Sequence, residues 1–269
     1  MRRPASRLNP GCAAHRLPIR PRIALTSERK LTKSKVEWLV ESTVQRKKMI
    51  VRAGLICVIG AVIVRLRGDI PLHLWDFGLG IGQFGRLQLV AAATPWVIFS
   101  LYWEIAAKNA AKAISSESRI SRGIHVVLTN LALLLEIVQF SWAGKYLPVS
   151  YFTIVGGLAV TVAGLSIAIW ARRVLGRNWS GEITIKVEHE LIRAGPYKRL
   201  RHPIYTGILT MYAGTAVVTG TWLALVGLAV AVFAYWRKIR LEEVNLRIAF
   251  GSEYDAYCRE SWALVPGMF

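Results

Sequence analysis

Cysteine is scarce in this chain, and acidic residues are few. Only three of the 269 residues are cysteines, at positions 12, 57 and 258, and no two of them form a C-x-x-C pair. This spacing indicates neither a disulfide framework nor a zinc site, so we expect unpaired cysteines and no bound metal. Asp and Glu number 16 against 35 Lys and Arg, which leaves a formal net charge of +19.

The positive charge by itself would fit a nucleic-acid-binding protein, but its distribution does not. The basic residues lie between long apolar segments rather than along one soluble face. Hydrophobic residues make up 54% of the chain, with ten tryptophans. Lys and Arg flanking apolar segments follow the positive-inside rule of membrane proteins. We therefore expect a polytopic protein in the lipid bilayer, with no nucleic-acid partner.

Composition divides the chain into three parts. Residues 1–48 carry thirteen Lys or Arg, three acids and four prolines, so we interpret them as a basic, disordered arm. The arm has no apolar core of its own, so it is not a cleaved signal peptide, although the segment after Met49 could act as an uncleaved anchor. We expect transmembrane helices in 49–171 and a functional core in 172–269.

Six apolar segments approach the ~20 residues that cross a ~30 Å hydrocarbon core. They are 49–64, 87–107, 124–143, 151–171, 203–219 and 221–236, the last two being short. The pattern predicts an all-α bundle of about six spans. Four basic segments then fall on one side, which predicts that both termini and that face are cytoplasmic.

The last two segments predict a C-terminal helical hairpin. From Ile204 to Trp236 there are 33 residues without a formal charge, about 50 Å as a single helix, which is too long for one ordinary span. Gly220, between two threonines, offers a turn near the middle. Folded there, the hairpin brings "RLRHPIY" (199–205) beside "RKIRLEE" (237–243) in one cytoplasmic cleft.

The residues at these two ends suit a ligand of mixed character. Pro203 is favourable in the first turn of a helix, whose exposed N–H groups attract an anion, and Arg201 and His202 add donors there. A carboxylate of Glu242 or Glu243 could receive an ammonium group or ribose hydroxyls. The rings of Tyr197, Tyr205 and the tryptophans could enclose a flat ring.

Two segments carry a resemblance to a known family. "LIRAGPYKRLRHPIYTG" (191–207) and "RLEEVNLRIAFGSEYDAY" (240–257) contain a Gly-Pro-Tyr, an Arg-His-Pro-x-Tyr-x-Gly, a paired Glu and a Phe-Gly-x-x-Tyr-x-x-Tyr, in that order. In these motifs the chain resembles the isoprenylcysteine carboxyl methyltransferases and phospholipid methyltransferases, integral membrane enzymes that use S-adenosylmethionine. The resemblance covers roughly residues 170–267.

The resemblance implies roles for individual residues. It implies that the cofactor is held by His202, Tyr205, Gly207, Glu242 and Glu243, with Tyr254 and Tyr257 closing the cytoplasmic side. The aromatic ring of Tyr197 makes that residue a further cofactor-binding candidate. The resemblance also implies that Arg201 orients a lipophilic methyl acceptor, so that Arg201 and Glu242 are the catalytic candidates. The stretch after Tyr257 departs from the family pattern, because Glu260 stands where basic residues are common.

Several alternatives remain at this point. An NADPH-dependent membrane reductase of the steroid-reductase type has a similar Arg-His-Pro segment, and a non-enzymatic membrane scaffold would also explain the charge. The sequence leaves open the identity of the acceptor and the oligomeric state. It also leaves open whether Glu242 or Glu243 contacts the cofactor. Glu136, inside the third apolar segment, is either functional or part of an interhelical hydrogen bond.

Overall fold

The computed structural model describes residues 83–107, 118–138, 144–176, 179 and 191–267. Within these ranges the chain is all helical, and its β-type pairs are isolated bridges. The helices are α1 (Gln83–Ala107), α2 (Arg119–Ile137), α3 (Tyr151–Leu175), α4 (Pro203–Thr219), α5 (Trp222–Phe250) and α6 (Ser252–Glu260). The basic arm 1–48 and the predicted span 49–64 lie outside the described residues.

Four of the described helices are long and apolar enough to cross a membrane. These segments are Leu87–Ala107, Ile120–Ile137, Tyr151–Leu175 and Trp222–Phe250. With 17 residues, α4 is shorter, and most of its side chains are buried among the other helices. The described part of this membrane protein is therefore all helical, and α4 is its central helix.

Several helix boundaries differ from the sequence-based expectation, and two of them have a clear physical reason. α2 begins at Arg119 instead of 124, because the Ser118 hydroxyl accepts a hydrogen bond from the backbone N–H of Ser121 and caps the helix. α5 continues fourteen residues beyond the expected end at 236, to Phe250. Charged residues end an apolar segment but not a helix, since Arg, Lys and Glu are good helix formers.

α3 and α4 pack with their backbones in close contact. A methyl group added at Gly164 would lie 2.5 Å from the carbonyl oxygen of Gly207, and one added at Gly214 would lie 2.3 Å from the Thr161 hydroxyl. Small residues at such positions let membrane helices approach closely, which increases their van der Waals contact. This interface fixes the direction in which α4 leaves the site.

α4 and α5 are joined at one end of the bundle, which we call the far end. Gly220 ends α4 in the left-handed conformation, with φ of 65°, and Thr221 caps α5. The Gly220 carbonyl accepts the backbone N–H of Tyr146 at 2.8 Å, which ties the segment before α3 to this turn. On α1, Gln88 donates to the Val218 carbonyl at 2.8 Å.

The opposite end, which we call the site end, collects the basic residues. Arg172 of α3 donates to the carbonyl of Ala106 at 2.7 Å and lies over the ring of Trp179. Arg237 of α5 donates to the Ser121 hydroxyl at 2.7 Å. These contacts join the ends of α1 and α3, and the start of α2 to the middle of α5.

Glu136 lies in α2 towards the far end and is fully buried. Neither of its carboxyl oxygens has a hydrogen-bond partner among the described residues. The interhelical hydrogen bond considered from the sequence is therefore not formed within the described part of the chain.

Candidate active site at the site end

The Gly-Pro-Tyr motif forms a tight turn in front of α4. Residues Gly195–Lys198 make one turn of 3-10 helix, with Gly195 at φ of 57° and Tyr197 buried. His202 is the N-cap residue of α4, and Pro203 takes a position where its missing N–H would have no partner in the helix. The Gly-Pro-Tyr turn thus leads into the Arg-His-Pro-x-Tyr motif, which places His202 and Tyr205 at the start of α4.

Arg201 is enclosed by protein. Its side chain is 2% exposed, and its Nε donates to Glu243 Oε1 at 2.9 Å. Its Nη1 donates to the carbonyl of Ser261 at 2.5 Å and, more weakly, to that of Cys258 at 3.4 Å. Burial lowers the pKa of Arg201, but Glu243 and the neighbouring Cys258 and Tyr254 together outweigh burial, so this pKa lies above its ordinary value.

The two glutamates differ in their surroundings. The Glu243 side chain is 7% exposed, whereas that of Glu242 is 31% exposed. Glu242 Oε2 accepts a hydrogen bond of 2.8 Å from the Tyr205 hydroxyl. Glu243 is therefore committed to Arg201 inside the protein, while Glu242 is held at one oxygen and open towards solvent.

His202 lies between the two carboxylates. Its Nδ1 is 3.8 Å from Glu242 Oε2 and its Nε2 is 3.5 Å from Glu243 Oε1. The second distance is long for a hydrogen bond, and Nε2 is buried without a hydrogen-bond partner among the described residues. The His202 ring stacks parallel to that of Tyr205, with centroids 5.6 Å apart.

The tyrosines of the Phe-Gly-x-x-Tyr-x-x-Tyr motif lie buried near the Gly-Pro-Tyr turn. Tyr257 donates its hydroxyl to the Tyr197 carbonyl at 2.6 Å, and burial raises the pKa of Tyr257 to about 12. Tyr254 is fully buried, and burial raises its pKa as well. Both phenols stay protonated at neutral pH. Tyr257 fixes the backbone of the Gly-Pro-Tyr turn.

Gly207 does not lie beside the other predicted site residues. It is on the face of α4 opposite Tyr205, where a methyl group would be 2.6 Å from the backbone nitrogen of Ala168 and from the Gly164 carbonyl oxygen. The lack of a side chain at Gly207 thus serves the packing of α4 against α3, and the cofactor contact expected there stays a prediction.

The segment after α6 was missed by the sequence-based assignment. The backbone N–H groups of Arg201 and His202 donate to the carbonyls of Trp262 and Ala263 at 2.7 and 3.1 Å, and the Thr206 hydroxyl donates to the Leu264 carbonyl at 2.7 Å. Because these are backbone acceptors, no side-chain pattern in the sequence announces them. The tail thus sets the position of both motif residues.

Arg247 was also missed. Its guanidinium lies 3.9 Å from Glu243 Oε2 and 3.3 Å from Asp255 Oδ1, and it lies over the Tyr254 ring. Its position four residues after Glu243 on a helix is a signal that the sequence does contain.

The sequence of this chain is similar to those of known proteins. The phospholipid methyltransferase family model matches residues 152–253. A protein of Oryza sativa subsp. indica described as "Probable protein-S-isoprenylcysteine O-methyltransferase" is 31% identical over 189 residues, which are 67% of this chain and 97% of the rice protein.

Two further matches extend the comparison. The nickel-cobalt-cadmium resistance protein NccN of Alcaligenes xylosoxydans xylosoxydans is 32% identical over 62% of this chain and 73% of its own length. Among solved structures, the eukaryotic intramembrane Ras methyltransferase ICMT matches with a TM-score of 0.41 and 15% identity, over 81% of this chain and 97% of that one.

The rice protein is matched over nearly its whole length, and the family model covers α3, α4, α5 and the start of α6. The paired glutamates and the Arg-His-Pro-x-Tyr motif, which the fold brings into contact, lie inside the matched region. The chain therefore belongs to the isoprenylcysteine carboxyl methyltransferase and phospholipid methyltransferase family of membrane enzymes.

Proposed function

We propose that this membrane methyltransferase transfers a methyl group from S-adenosylmethionine to the carboxylate of a prenylated cysteine. The acceptor is proposed from the name of the rice relative, which is matched over 97% of its own length. A lipophilic acceptor suits a site at the end of apolar helices, because it can enter sideways from the bilayer. The observation that carries the proposal is the different exposure of the two glutamates.

Glu242 is the glutamate available to a ligand. It is 31% exposed, and the Tyr205 hydroxyl holds only one of its oxygens. Glu243 is buried, and its carboxylate is neutralised by Arg201 and approached by Arg247. We assign the cofactor contact to Glu242 and a supporting role to Glu243.

The residues present fit S-adenosylmethionine. A partly exposed carboxylate, Glu242, can bind an ammonium group or a ribose hydroxyl, and the buried Nε2 of His202 lacks a hydrogen-bond partner among the described residues. Tyr197 and Tyr205 supply aromatic walls. When bound, the cofactor supplies a methyl group on a positively charged sulfur. The chain's part is to align the acceptor and exclude water, with no metal required.

Arg201 acts in this proposal as a positioning residue. Its donors are directed to Glu243 and to the carbonyls of Ser261 and Cys258, all inside the protein. The expected direct contact with the acceptor is therefore not supported by its surroundings. Arg201 instead holds α5, the tail and the start of α4 in one arrangement, on which Glu242 depends.

We also propose that the site end faces the cytoplasm, in a six-span chain with both termini inside. Arg172, Arg237 and Arg201 all lie at that end, and positive charge is retained on the cytoplasmic side of membrane proteins. Reporter fusions at residues 1 and 269 should both be active in the cytoplasm. Two fusions reporting from the other side would overturn this topology.

The activity is tested on purified full-length protein in detergent. Methyl-labelled S-adenosylmethionine and N-acetyl-S-farnesylcysteine should give a base-labile methyl ester, and S-adenosylhomocysteine should bind whereas NADPH should not. Glu242→Gln should reduce the rate, and Arg240→Gln, an exposed charge on the same helix, should not. Labelling of a phospholipid amine with no ester formed would reject the proposed acceptor. Tight NADPH binding would favour a reductase.

A further inference from the structure

A polar surface of α5 lies beside Glu242, on the side of α5 that faces α2. Tyr235, Lys238 and Glu242 lie three and four residues apart on α5, so they share one face of this helix. None of the family motifs described above includes Tyr235 or Lys238. Their face points towards the start of α2 and is continuous with the proposed cofactor contact.

Contacts between aromatic rings connect α4, α5 and α2 along this surface. The Tyr205 ring, whose hydroxyl holds Glu242, lies 5.1 Å from the Tyr235 ring. The Tyr235 ring in turn meets the edge of the His125 ring, with centroids 5.1 Å apart and planes at 86°. A ligand group beside Glu242 would therefore have Tyr235 and His125 as its next neighbours.

Lys238 carries the charge of this surface. It is 7% exposed, although its position near the end of the membrane-spanning part of α5 would allow a lysine to extend into water. It lies three residues after Tyr235, whose ring meets the His125 ring. An ammonium group has three donors, so contacts within the protein still leave it able to bind an anion.

His125 adds a second polar group at the same place. Its Nδ1 is buried and has no hydrogen-bond partner among the described residues. A buried polar atom without a partner is costly, and a ligand that supplies one removes that cost. The imidazole and the ammonium group thus lie near each other on the α2 side of Glu242.

Four arginines at this end already have anchoring contacts. Arg172 and Arg201 donate to main-chain carbonyls, Arg237 is held by Ser121, and Arg247 pairs with Asp255. A guanidinium fixed in this way stabilises the fold and is poorly placed to bind a substrate group. An acceptor that carries a carboxylate nevertheless requires a cation, because burying an unpaired carboxylate is strongly unfavourable.

We propose that Lys238, with His125 opposite it on α2, forms the seat for the carboxylate of the methyl acceptor, next to Glu242. The inference rests on the proposed function and adds the residues that select the acceptor. In the transfer, a bond forms between a carboxylate oxygen and the methyl carbon, the carbon–sulfur bond breaks, and its electron pair stays on sulfur. No proton moves, so the acceptor has to arrive ionised, which a nearby cation favours.

The test separates charge recognition from packing. Full-length protein saturated with S-adenosylhomocysteine is titrated with N-acetyl-S-farnesylcysteine and with its carboxamide, which has the same shape without the charge. Wild type should bind the acid more tightly than the amide. Lys238→Gln should weaken binding of the acid about tenfold, as expected for one lost charged hydrogen bond, and change the amide less than twofold.

Three matched variants sharpen the result. Lys238→Arg keeps a cation and should retain most of the preference for the acid, whereas His125→Leu should reduce it a few-fold. Arg240→Gln removes an exposed charge two residues from Lys238 and should behave as wild type. Binding of S-adenosylhomocysteine should stay within twofold in all of them, which also shows that the variants are folded.

The possible contrary results are distinct. Unchanged binding of the acid by Lys238→Gln, or equal loss for acid and amide, overturns the assignment of Lys238 to the carboxylate. Farnesyl phosphate serves as a third ligand: dependence on Lys238 for the phosphate but not for the acid would mean that the seat recognises a phosphate group, and the proposal would be wrong. Failure of wild type to bind S-adenosylhomocysteine would instead reject the proposed function.

Discussion

The two sides of α4 are held by different kinds of contact. Its face against α3 has glycines at van der Waals distance from backbone, with no room for one methyl group at Gly207 or Gly214. Its start is held by charged and polar bonds, in which Arg201 and Tyr205 reach the two glutamates of α5. The first contact is rigid and insensitive to charge. The second leaves Glu242 open to a ligand, so the fold is fixed by one side of α4 and the chemistry by the other.

The largest effect should follow from a bulkier residue in the glycine contact. Gly214→Val would place side-chain atoms within 2.3 to 2.7 Å of Thr161 and the Gly157 carbonyl oxygen, so α3 and α4 would have to separate. We expect more than about 3 kcal/mol of destabilisation and little folded protein. Fluorescence-detected size exclusion in detergent measures the folded yield.

Gly156→Val is the matched control for that change. Gly156 lies on α3 as well, but a methyl group there meets nothing within 4 Å. This variant should elute and melt as wild type does. Equal losses in both variants would show that valine harms the helix itself, and that the close contact is not the cause.

The next effect concerns the buried ion pair. Arg201→Met should leave the Glu243 carboxylate without its main partner and destabilise the protein by about 3–5 kcal/mol. Thermal unfolding in detergent measures the loss. The double variant Arg201→Met with Glu243→Gln should recover part of it, because the unpaired charge is gone. A double variant as unstable as the single one would indicate that the carbonyl contacts of Arg201 dominate.

A smaller and more specific effect distinguishes the two glutamates. Glu242→Gln should keep the melting temperature and weaken binding of S-adenosylhomocysteine by about 1.5–3 kcal/mol, the value of a hydrogen bond to a charged group. Glu243→Gln should lower the melting temperature instead, since its carboxylate is buried with Arg201. Calorimetric titration and thermal unfolding are measured on the same samples. The reverse pattern would exchange the roles proposed for the pair.

The smallest effect is expected at Tyr205. Tyr205→Phe removes the hydroxyl that donates to Glu242 at 2.8 Å but keeps the ring that stacks on His202. S-adenosylhomocysteine affinity should fall by about 1 kcal/mol, roughly fivefold, with unchanged stability. A loss as large as that of Glu242→Gln would mean that the hydroxyl contacts the ligand itself.

Local patterns in the sequence determined the helices and the grouping of the motifs. Apolar runs of membrane-spanning length are set by composition alone, and most of the described ones begin or end within a few residues of the expected positions. The motif residues Arg201, His202, Tyr205 and Glu242 could be named because their types and spacing are characteristic. The segments in 1–82 stay predictions, since they lie outside the described residues.

Only the tertiary structure decided what each motif residue touches. Adjacent glutamates are equivalent in the sequence, but a helix turns by 100° per residue, so Glu243 faces Arg201 and Glu242 is partly exposed to solvent. Gly207 belongs to the motif by spacing and to the α3 contact by position. The tail carbonyls that accept the N–H groups of Arg201 and His202 come from about sixty residues away. Burial and backbone pairing depend on such distant neighbours, which local spacing does not encode.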